Sequence, residues 1–159
     1  MLEVEIVCIG KLKQAFLRDG CTEYLKMLGG YARVTVTELP EARISKAGAA
    51  EIEKVVGQES KAILKYIENK RASVVAMCIE GRKYSSEDVA RFLAETSHTN
   101  SSIIFIIGGS HGLTKELAAK ADVRMSMSDM TFPHQLARMM LLEQLYRAFS
   151  INANSKYHK

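Results

Sequence analysis

Short apolar runs and longer amphipathic stretches alternate along this chain. The runs of strand length are 2–9, 32–39, 73–79, 102–107 and 122–127. The stretches with apolar residues at helical spacing are 16–28, 49–69, 85–97, 114–120 and 133–149. The run at 73–79 is apolar almost throughout, which is typical of a strand buried on both faces of a parallel sheet. The alternation therefore predicts an α/β fold around a parallel sheet.

Local signals mark where several of these elements begin and end. Gly29 and Gly30 follow the first helical stretch, and Ser85 precedes an acidic first turn as a helix cap does. Pro133 fits the first turn of the last helix. Residues 40–48 are polar and basic, and we expect them to form a mobile loop inside one domain that spans residues 1–159.

Composition narrows the class of protein only slightly. A chain of 159 residues with 47% hydrophobic residues can bury a core, and its net charge of +4 fits either a polyanionic partner or a solvated basic surface. The first residues have no basic stretch of a signal peptide, and no apolar run reaches membrane-spanning length. The three cysteines and four histidines have no metal-ligand spacing. We therefore expect a cytoplasmic protein without a metal site or a membrane partner.

Ligands of parallel α/β sheets bind at the carboxyl ends of the strands, and this rule selects Ile79-Glu80-Gly81 and two longer segments. The first, Ile107-Gly108-Gly109-Ser110-His111-Gly112, is either a tight turn or a place where backbone approaches a ligand. It matches neither a Walker A loop nor the dinucleotide fingerprint. The second, 127–132, is unusually apolar for a loop. Either it wraps a flat aromatic group such as adenine, or it is a connector buried against the core.

The last helix is apolar nearly all round, so it should be buried on more than one side. In so small a domain, the second side is expected to face another subunit. Arg138 and Arg147 are nine residues apart and lie on roughly opposite faces of the helix. They can therefore contribute to the same site only if they come from different subunits of a two-fold dimer. Residues 131–159 hold four basic side chains and one acid, which is +3 of the net +4, and the chain stops on Tyr157-His158-Lys159.

Several motifs together resemble one family of proteins. They are Ile107–Leu113, Met127–Arg138, Leu142–Phe149 and the ending Tyr157–Lys159, with support from Ile9–Lys13 and Thr22–Leu25. The chain is similar, over its full length, to the bacterial large-subunit ribosomal RNA pseudouridine N3-methyltransferases, small members of the SPOUT class.

The resemblance implies an α/β knot, in which the C-terminal segment forms a trefoil knot, and a homodimer with its active sites at the interface. It implies S-adenosylmethionine as the cofactor and, as substrate, a pseudouridine of large-subunit RNA in the assembled ribosome. The cofactor contacts that it implies, with two glycines added, are Met77, Gly108, Gly109, Gly112, Met127, Ser128, Asp129, Met130, Thr131 and Phe132. Asp129 would add a negative charge beside a sulfonium cofactor.

Methyl transfer to N3 requires alignment of the acceptor and loss of its proton. The candidates for positioning the substrate and stabilising the developing anion are His158, Tyr157, Arg138 and Arg147, and the general base is left unassigned. Two other functions stay open at this point. One is a SPOUT methyltransferase that acts on transfer RNA or on a ribose hydroxyl, and the other is a non-catalytic α/β module that binds RNA or a nucleotide.

Overall fold

Parallel strands form one sheet, and helices cover both of its faces. The structure is a computed structural model, and it describes residues 1–45 and 48–159. The strands are β1 (Glu3–Ile9), β2 (Arg33–Leu39), β3 (Ser73–Lys83), β4 (Ser102–Ile107) and β5 (Val123–Ser126). The helices are α1 (Ala15–Leu28), α2 (Ala49–Ile67), α3 (Ser86–Thr99), α4 (Lys115–Lys120) and α5 (His134–Asn152). The predicted alternation of strands and helices is confirmed, while residues 46 and 47 of the expected 40–48 loop lie outside the described residues.

The strand order is β2-β1-β4-β3-β5, and every neighbouring pair is parallel. Strand β1 pairs with neighbours on both sides, with Ile6 opposite Val36 on β2 and Phe105 on the central strand β4. Because the strands run in one direction, their carboxyl ends all reach the same edge of the sheet. At this edge β4, β3 and β5 are neighbours, so the two longer segments selected from the sequence lie close to one another.

The core has one layer on each face of the sheet. Helices α1, α3 and α5 cover one face, where Phe105 of β4 and Leu142 of α5 are fully buried. Helices α2 and α4 cover the other face, where Ile63, Ile104 and Leu117 meet. Alternate residues of the central strands thus enter opposite layers, which explains why those strands are apolar almost throughout.

Strand β3 contains an irregularity close to its end. Met77 and Arg82 both pair with Met125 of β5, so residues 78–81 arch away from the ladder. The strand was expected to end at Ile79, but it resumes pairing after the arch and continues to Lys83. Gly81 permits the close approach, because a Cβ at this position would lie 2.7 Å from the backbone carbonyl carbon of Arg124.

Helices α3 and α5 begin and pack as their sequences indicate. The Ser85 hydroxyl accepts the Asp88 amide at 3.0 Å, and the Asp88 carboxylate accepts the Ser85 amide at 3.0 Å, which together form a capping box. Helix α5 contacts α1, α3 and β4, and none of its residues from His134 to Ile151 is exposed. Among the described residues, no helix is both long and apolar enough to cross a membrane.

Candidate active site

A cavity of about 510 Å³ opens beside the ends of β3 and β5, between α1, α3 and α5. Five methionines line it, and we call it the methionine cleft: Met77, Met125, Met127, Met139 and Met140. Methionine side chains are flexible and polarisable, so such a cleft adapts to a flat or irregular apolar surface. Two of the residues expected to hold the cofactor, Met77 and Met127, therefore lie in the wall of one cavity.

The segment that follows β5 is only partly buried. The Ser126 hydroxyl donates to the Ser128 carbonyl at 3.0 Å, and the Ser128 hydroxyl accepts the Met130 amide at 3.0 Å. These bonds hold the chain in a turn that leaves Met130 71% exposed. Thr131 is also exposed, whereas Phe132 is half-buried. The alternative in which this segment is buried against the core is therefore wrong for Met130 and Thr131.

Asp129 has a basic partner in the structure. Its carboxylate forms an ion pair with the Lys83 ammonium at the end of β3. Both side chains are largely exposed, so the pair contributes little to stability. Its effect is local, because the lysine offsets the negative charge that Asp129 adds beside the candidate cofactor segment. No sequence pattern connects these two residues, since their contact depends on the arch in β3.

The glycine-bearing segment after β4 is a tight turn. Gly112 has a φ of +84°, and its amide donates to the Gly109 carbonyl at 3.1 Å. A Cβ at Gly108 would lie 2.7 Å from the Gly112 carbonyl group, so the turn closes only because that position has no side chain. The turn interpretation is confirmed, and it leaves the second interpretation open, since a turn without bulky side chains also lets a ligand approach the backbone.

The surroundings of these segments fit a nucleoside cofactor. A cleft rich in methionine, an exposed apolar segment and a glycine turn meet at the edge where β5, β3 and β4 end. Such a site holds a ligand through backbone groups and apolar contacts. Within residues 1–45 and 48–159, no group of three or more His, Cys, Asp or Glu side chains could hold a metal ion.

The chain ending forms a cluster on α5 and the start of α3. The Arg147 guanidinium donates to the Glu143 carboxylate with its Nε at 3.0 Å, and the Tyr157 hydroxyl donates to the same oxygen at 3.1 Å. The guanidinium also lies over the Tyr157 ring, 4.9 Å from its centre. Since Glu143 also lines the methionine cleft, it connects this cluster to the cleft. The structure thus brings together Arg147, Tyr157 and His158.

Both ring nitrogens of His158 are engaged. Nδ1 lies 3.2 Å from Nη1 of Arg147, and Nε2 lies 2.8 Å from the Glu87 carboxylate. A guanidinium can only donate, so Nδ1 accepts and the ring proton resides on Nε2, which donates to Glu87. In this arrangement no lone pair of the ring is free to take a proton from a substrate, so His158 must leave Arg147 before it can act as a base.

Tyr157 is a hydrogen-bond donor in this cluster. Burial of the phenol, together with the nearby Glu143 carboxylate, raises the pKa of Tyr157 to about 12. The hydroxyl therefore keeps its proton at neutral pH and cannot serve as a base. The Glu143 hydrogen bond likewise raises the pKa of Arg147, which stays cationic.

Arg138 does not lie with the other three candidates. Its side chain is only 3% exposed, with one nitrogen 2.7 Å from the Glu38 carboxylate and another 3.0 Å from the Gly10 carbonyl. These contacts tie α5 to the carboxyl ends of β1 and β2. The expectation that Arg138 touches the substrate conflicts with this burial, because an RNA cannot reach a guanidinium that is enclosed by its own chain.

Sequence reasoning missed the acids that hold the chain ending. Glu143 and Glu87 anchor Tyr157 and His158, yet neither residue was selected as a candidate from the sequence. One signal was available: Glu143 is the single acid among the last thirty residues, and it lies four positions before Arg147 on the same helix. Glu87 had no such signal, because acids in the first turn of a helix are common.

Comparison with known proteins shows the family of this chain. A family model described as predicted SPOUT methyltransferase matches residues 2–158. Proteins named ribosomal RNA large subunit methyltransferase H are similar along their whole lengths and cover 99% of this chain. The relative from Carboxydothermus hydrogenoformans is 43% identical, that from Lactobacillus gasseri 42%, and that from Clostridioides difficile 40%.

A solved structure shares the fold. The probable methylase family protein from Haemophilus influenzae Rd KW20 superposes with a TM-score of 0.61 at 16% identity, covering all of this chain and 72% of that one. The fold is thus that of an α/β protein, and the family match and the curated relatives define the class as methyltransferase. The chain belongs to the SPOUT methyltransferase family. The trefoil knot in its C-terminal segment stays a prediction.

Proposed function

We propose that this chain methylates N3 of a pseudouridine in large-subunit ribosomal RNA, within the assembled ribosome in the cytoplasm. The observation that carries the proposal is the full-length similarity, at 40–43% identity, to proteins named ribosomal RNA large subunit methyltransferase H. The net charge of +4, of which +3 lies in residues 131–159, fits an RNA substrate.

S-adenosylmethionine is the proposed cofactor, and when bound it supplies an electrophilic methyl group. The residues that would hold it are Met77 and Met127 in the methionine cleft, the backbone of 128–132, and the Gly108–Gly112 turn. Apolar side chains exclude water from such a site, and backbone groups hold the edge of a base in a fixed orientation. Lys83 limits the charge of Asp129 so that the pocket is not strongly acidic.

The residues at the chain ending would position the acceptor base. Loss of the N3 proton leaves negative charge on the flanking carbonyl oxygens. The Arg147 guanidinium is a donor that can stabilise it, and the Tyr157 hydroxyl can donate to it only after releasing Glu143. His158 could take the proton only after its contact with Arg147 is broken. The base itself is left unassigned.

A second subunit would complete the site. Half-buried residues along α5 border the methionine cleft, and Phe16 at the start of α1 is 64% exposed. Covering this apolar surface with a second copy would bury it, and a two-fold arrangement would let the ending of one subunit reach the cleft of the other.

The substrate is tested with three RNAs. The protein and S-adenosylmethionine are incubated with assembled ribosomes, free large-subunit RNA and transfer RNA, and the products are mapped by mass spectrometry. We expect one added methyl group on a pseudouridine base of the ribosome sample. A methyl group on transfer RNA or on a ribose would contradict the proposal, and cofactor binding without any methylated RNA would favour a non-catalytic module.

A further inference from the structure

A second cavity lies on the other side of the glycine turn, under the segment that follows β2. It measures about 400 Å³, and its wall includes Ala42, Arg43, Glu59, Ser110 and His111. We call it the Glu59 cavity. Ser110 and His111 form the tip of the Gly108–Gly112 turn, so the same turn borders both this cavity and the candidate cofactor site. A substrate that must meet the cofactor can therefore be held here.

Glu59 is the unusual residue of this cavity. It lies on α2 and is only 4% exposed, although it is a carboxylate. One oxygen, Oε2, accepts the Ala42 amide at 3.0 Å. Within the described part of the chain no hydrogen bond reaches the other oxygen, Oε1. An oxygen without a partner in the protein, on a side chain that lines a cavity, can accept a hydrogen bond from a ligand bound there.

The glycine turn is shaped around this carboxylate. A Cβ at Gly109 would lie 2.7 Å from Oε1 of Glu59, so a side chain at that position would displace the oxygen. The next residue of α2, Ser60, accepts the Thr114 amide at 3.0 Å, just beyond the turn. Glu59 and Ser60 of α2 thus accept hydrogen bonds from two different loops, at Ala42 and at Thr114. Of these two residues, only Glu59 lines the cavity.

Pseudouridine has a hydrogen-bond donor that a fixed carboxylate such as Glu59 can accept. Pseudouridine is joined to its sugar through carbon, so N1 carries a proton that uridine lacks. A carboxylate that accepts N1–H leaves N3, on another edge of the ring, free for methylation. Other polar side chains line the same cavity, namely Ser110, His111 and Arg43, and they can contact the faces and edges of the ring that Glu59 leaves free.

We propose that the Glu59 cavity receives the target base and that Glu59 Oε1 accepts N1–H, so that Glu59 selects pseudouridine over uridine. The inference rests on the proposed function. Selection of this kind is strong because a base without the donor leaves the buried acceptor unpaired. Glu59 is then a specificity-determining residue, separate from the groups that handle the N3 proton.

The test uses Glu59→Gln, which keeps the shape of the side chain. The Ala42 amide needs an acceptor, so it fixes the amide oxygen of the glutamine and turns the NH₂ group toward the cavity. The variant then presents a donor to N1–H. Rates are measured on ribosomes that carry pseudouridine at the target position and on ribosomes made with uridine there. We expect kcat/KM for the pseudouridine ribosomes to fall about 10- to 100-fold. The ratio of kcat/KM on pseudouridine ribosomes to kcat/KM on uridine ribosomes should fall as well.

Ser60→Ala is the matched control. It removes the neighbouring hydrogen bond to Thr114 without lining the cavity, so it should change both rates by the same factor. If Glu59→Gln lowers kcat/KM by the same factor on both kinds of ribosome, the proposal is overturned, and the role of Glu59 is only to hold the Ala42 segment in place. Calorimetry with S-adenosylmethionine tests a second contrary outcome. If Glu59→Gln binds the cofactor more weakly than the wild type, the cavity holds the amino-acid end of the cofactor and the proposal is overturned.

Failure of the proposed function gives a different pattern. If the wild-type protein methylates neither ribosome, or both equally, the substrate assignment is wrong. Binding of free pseudouridine and uridine, observed by NMR on the intact protein, then tests the cavity without catalysis. A preference for pseudouridine that Glu59→Gln removes would still support the site, and equal binding of the two nucleosides would overturn it.

Discussion

Glu59 is a carboxylate that α2 holds almost out of solvent. Its position on α2 lies between Val55 and Ile63, both buried, so the helix directs its carboxylate into the protein. Burial raises the pKa of Glu59, while the Ala42 amide opposes that shift. A group with a raised pKa binds its proton more tightly in the folded protein than in the unfolded chain.

This shift predicts a pH-dependent stability difference. The contribution of Glu59 is most favourable below the unfolded pKa, and it is lost as pH rises through the folded pKa. The glutamine of the Glu59→Gln variant does not titrate. The free energy of unfolding of the wild type minus that of the variant should therefore fall as pH rises from about 4 toward neutrality. Urea unfolding of both proteins measures it, with Glu53→Gln on the exposed face of α2 as the control. A difference that grows with pH would contradict the argument.

At the scale of elements, the arch in β3 places the end of the strand beside the site. Residues 78–81 leave the ladder, and β3 returns to β5 so that Lys83 reaches Asp129. Gly81 is the point of closest approach between the two backbones. The arch and the site are therefore coupled through one glycine.

Replacing this glycine should separate the strands. In Gly81→Ala, the added Cβ would collide with the backbone of Arg124, and we expect a loss of about 1–3 kcal/mol of stability together with weaker binding of S-adenosylmethionine. Gly57→Ala is the matched control, because no atom lies within 4 Å of its Cβ position on α2. That variant should gain about 0.5–1 kcal/mol. Thermal unfolding and calorimetry measure both, and unchanged cofactor affinity in Gly81→Ala would separate the arch from the site.

The elements were predictable because their signals are local. Apolar runs and helical spacing placed every strand and helix within a few residues, and the Ser85 cap was visible as a sequence motif. The extension of β3 to Lys83 was not, since Glu80–Lys83 has no apolar pattern and pairs only because β5 lies beside it. Glu59 was missed although it interrupts the apolar stripe of α2 between Val55 and Ile63. Only the fold reveals what such an interruption faces.

At the scale of the whole molecule, the chain ending and the methionine cleft belong to one functional unit. Glu143 lines the cleft and holds Tyr157 and Arg147, so the ending is ordered beside the cleft. This arrangement places the ending beside the methionine cleft of its own subunit. Binding of cofactor and positioning of RNA would then depend on different parts of the molecule.

Removing Tyr157–Lys159 separates the two tasks. We expect the truncated protein to stay a dimer and to bind S-adenosylmethionine with nearly unchanged affinity, because the cleft and α5 remain, while methylation of ribosomes is abolished. Sedimentation, calorimetry and methyl incorporation measure the three properties. A monomer at micromolar concentration in either protein would contradict the dimer. Methylation at the normal rate would show that the ending has no role in positioning the substrate.

The contacts of Arg138 have a consequence for how the chain is completed during synthesis. This arginine near the end of the chain holds Gly10 and Glu38, which belong to the ends of the first two strands, and β1 also takes β4 as its neighbour. Contacts between such distant segments slow folding, because long loops must close before they form. β1 and β2 can pair with each other early, but the other edge of β1 waits for β4, and the native core is sealed only after α5 has been translated.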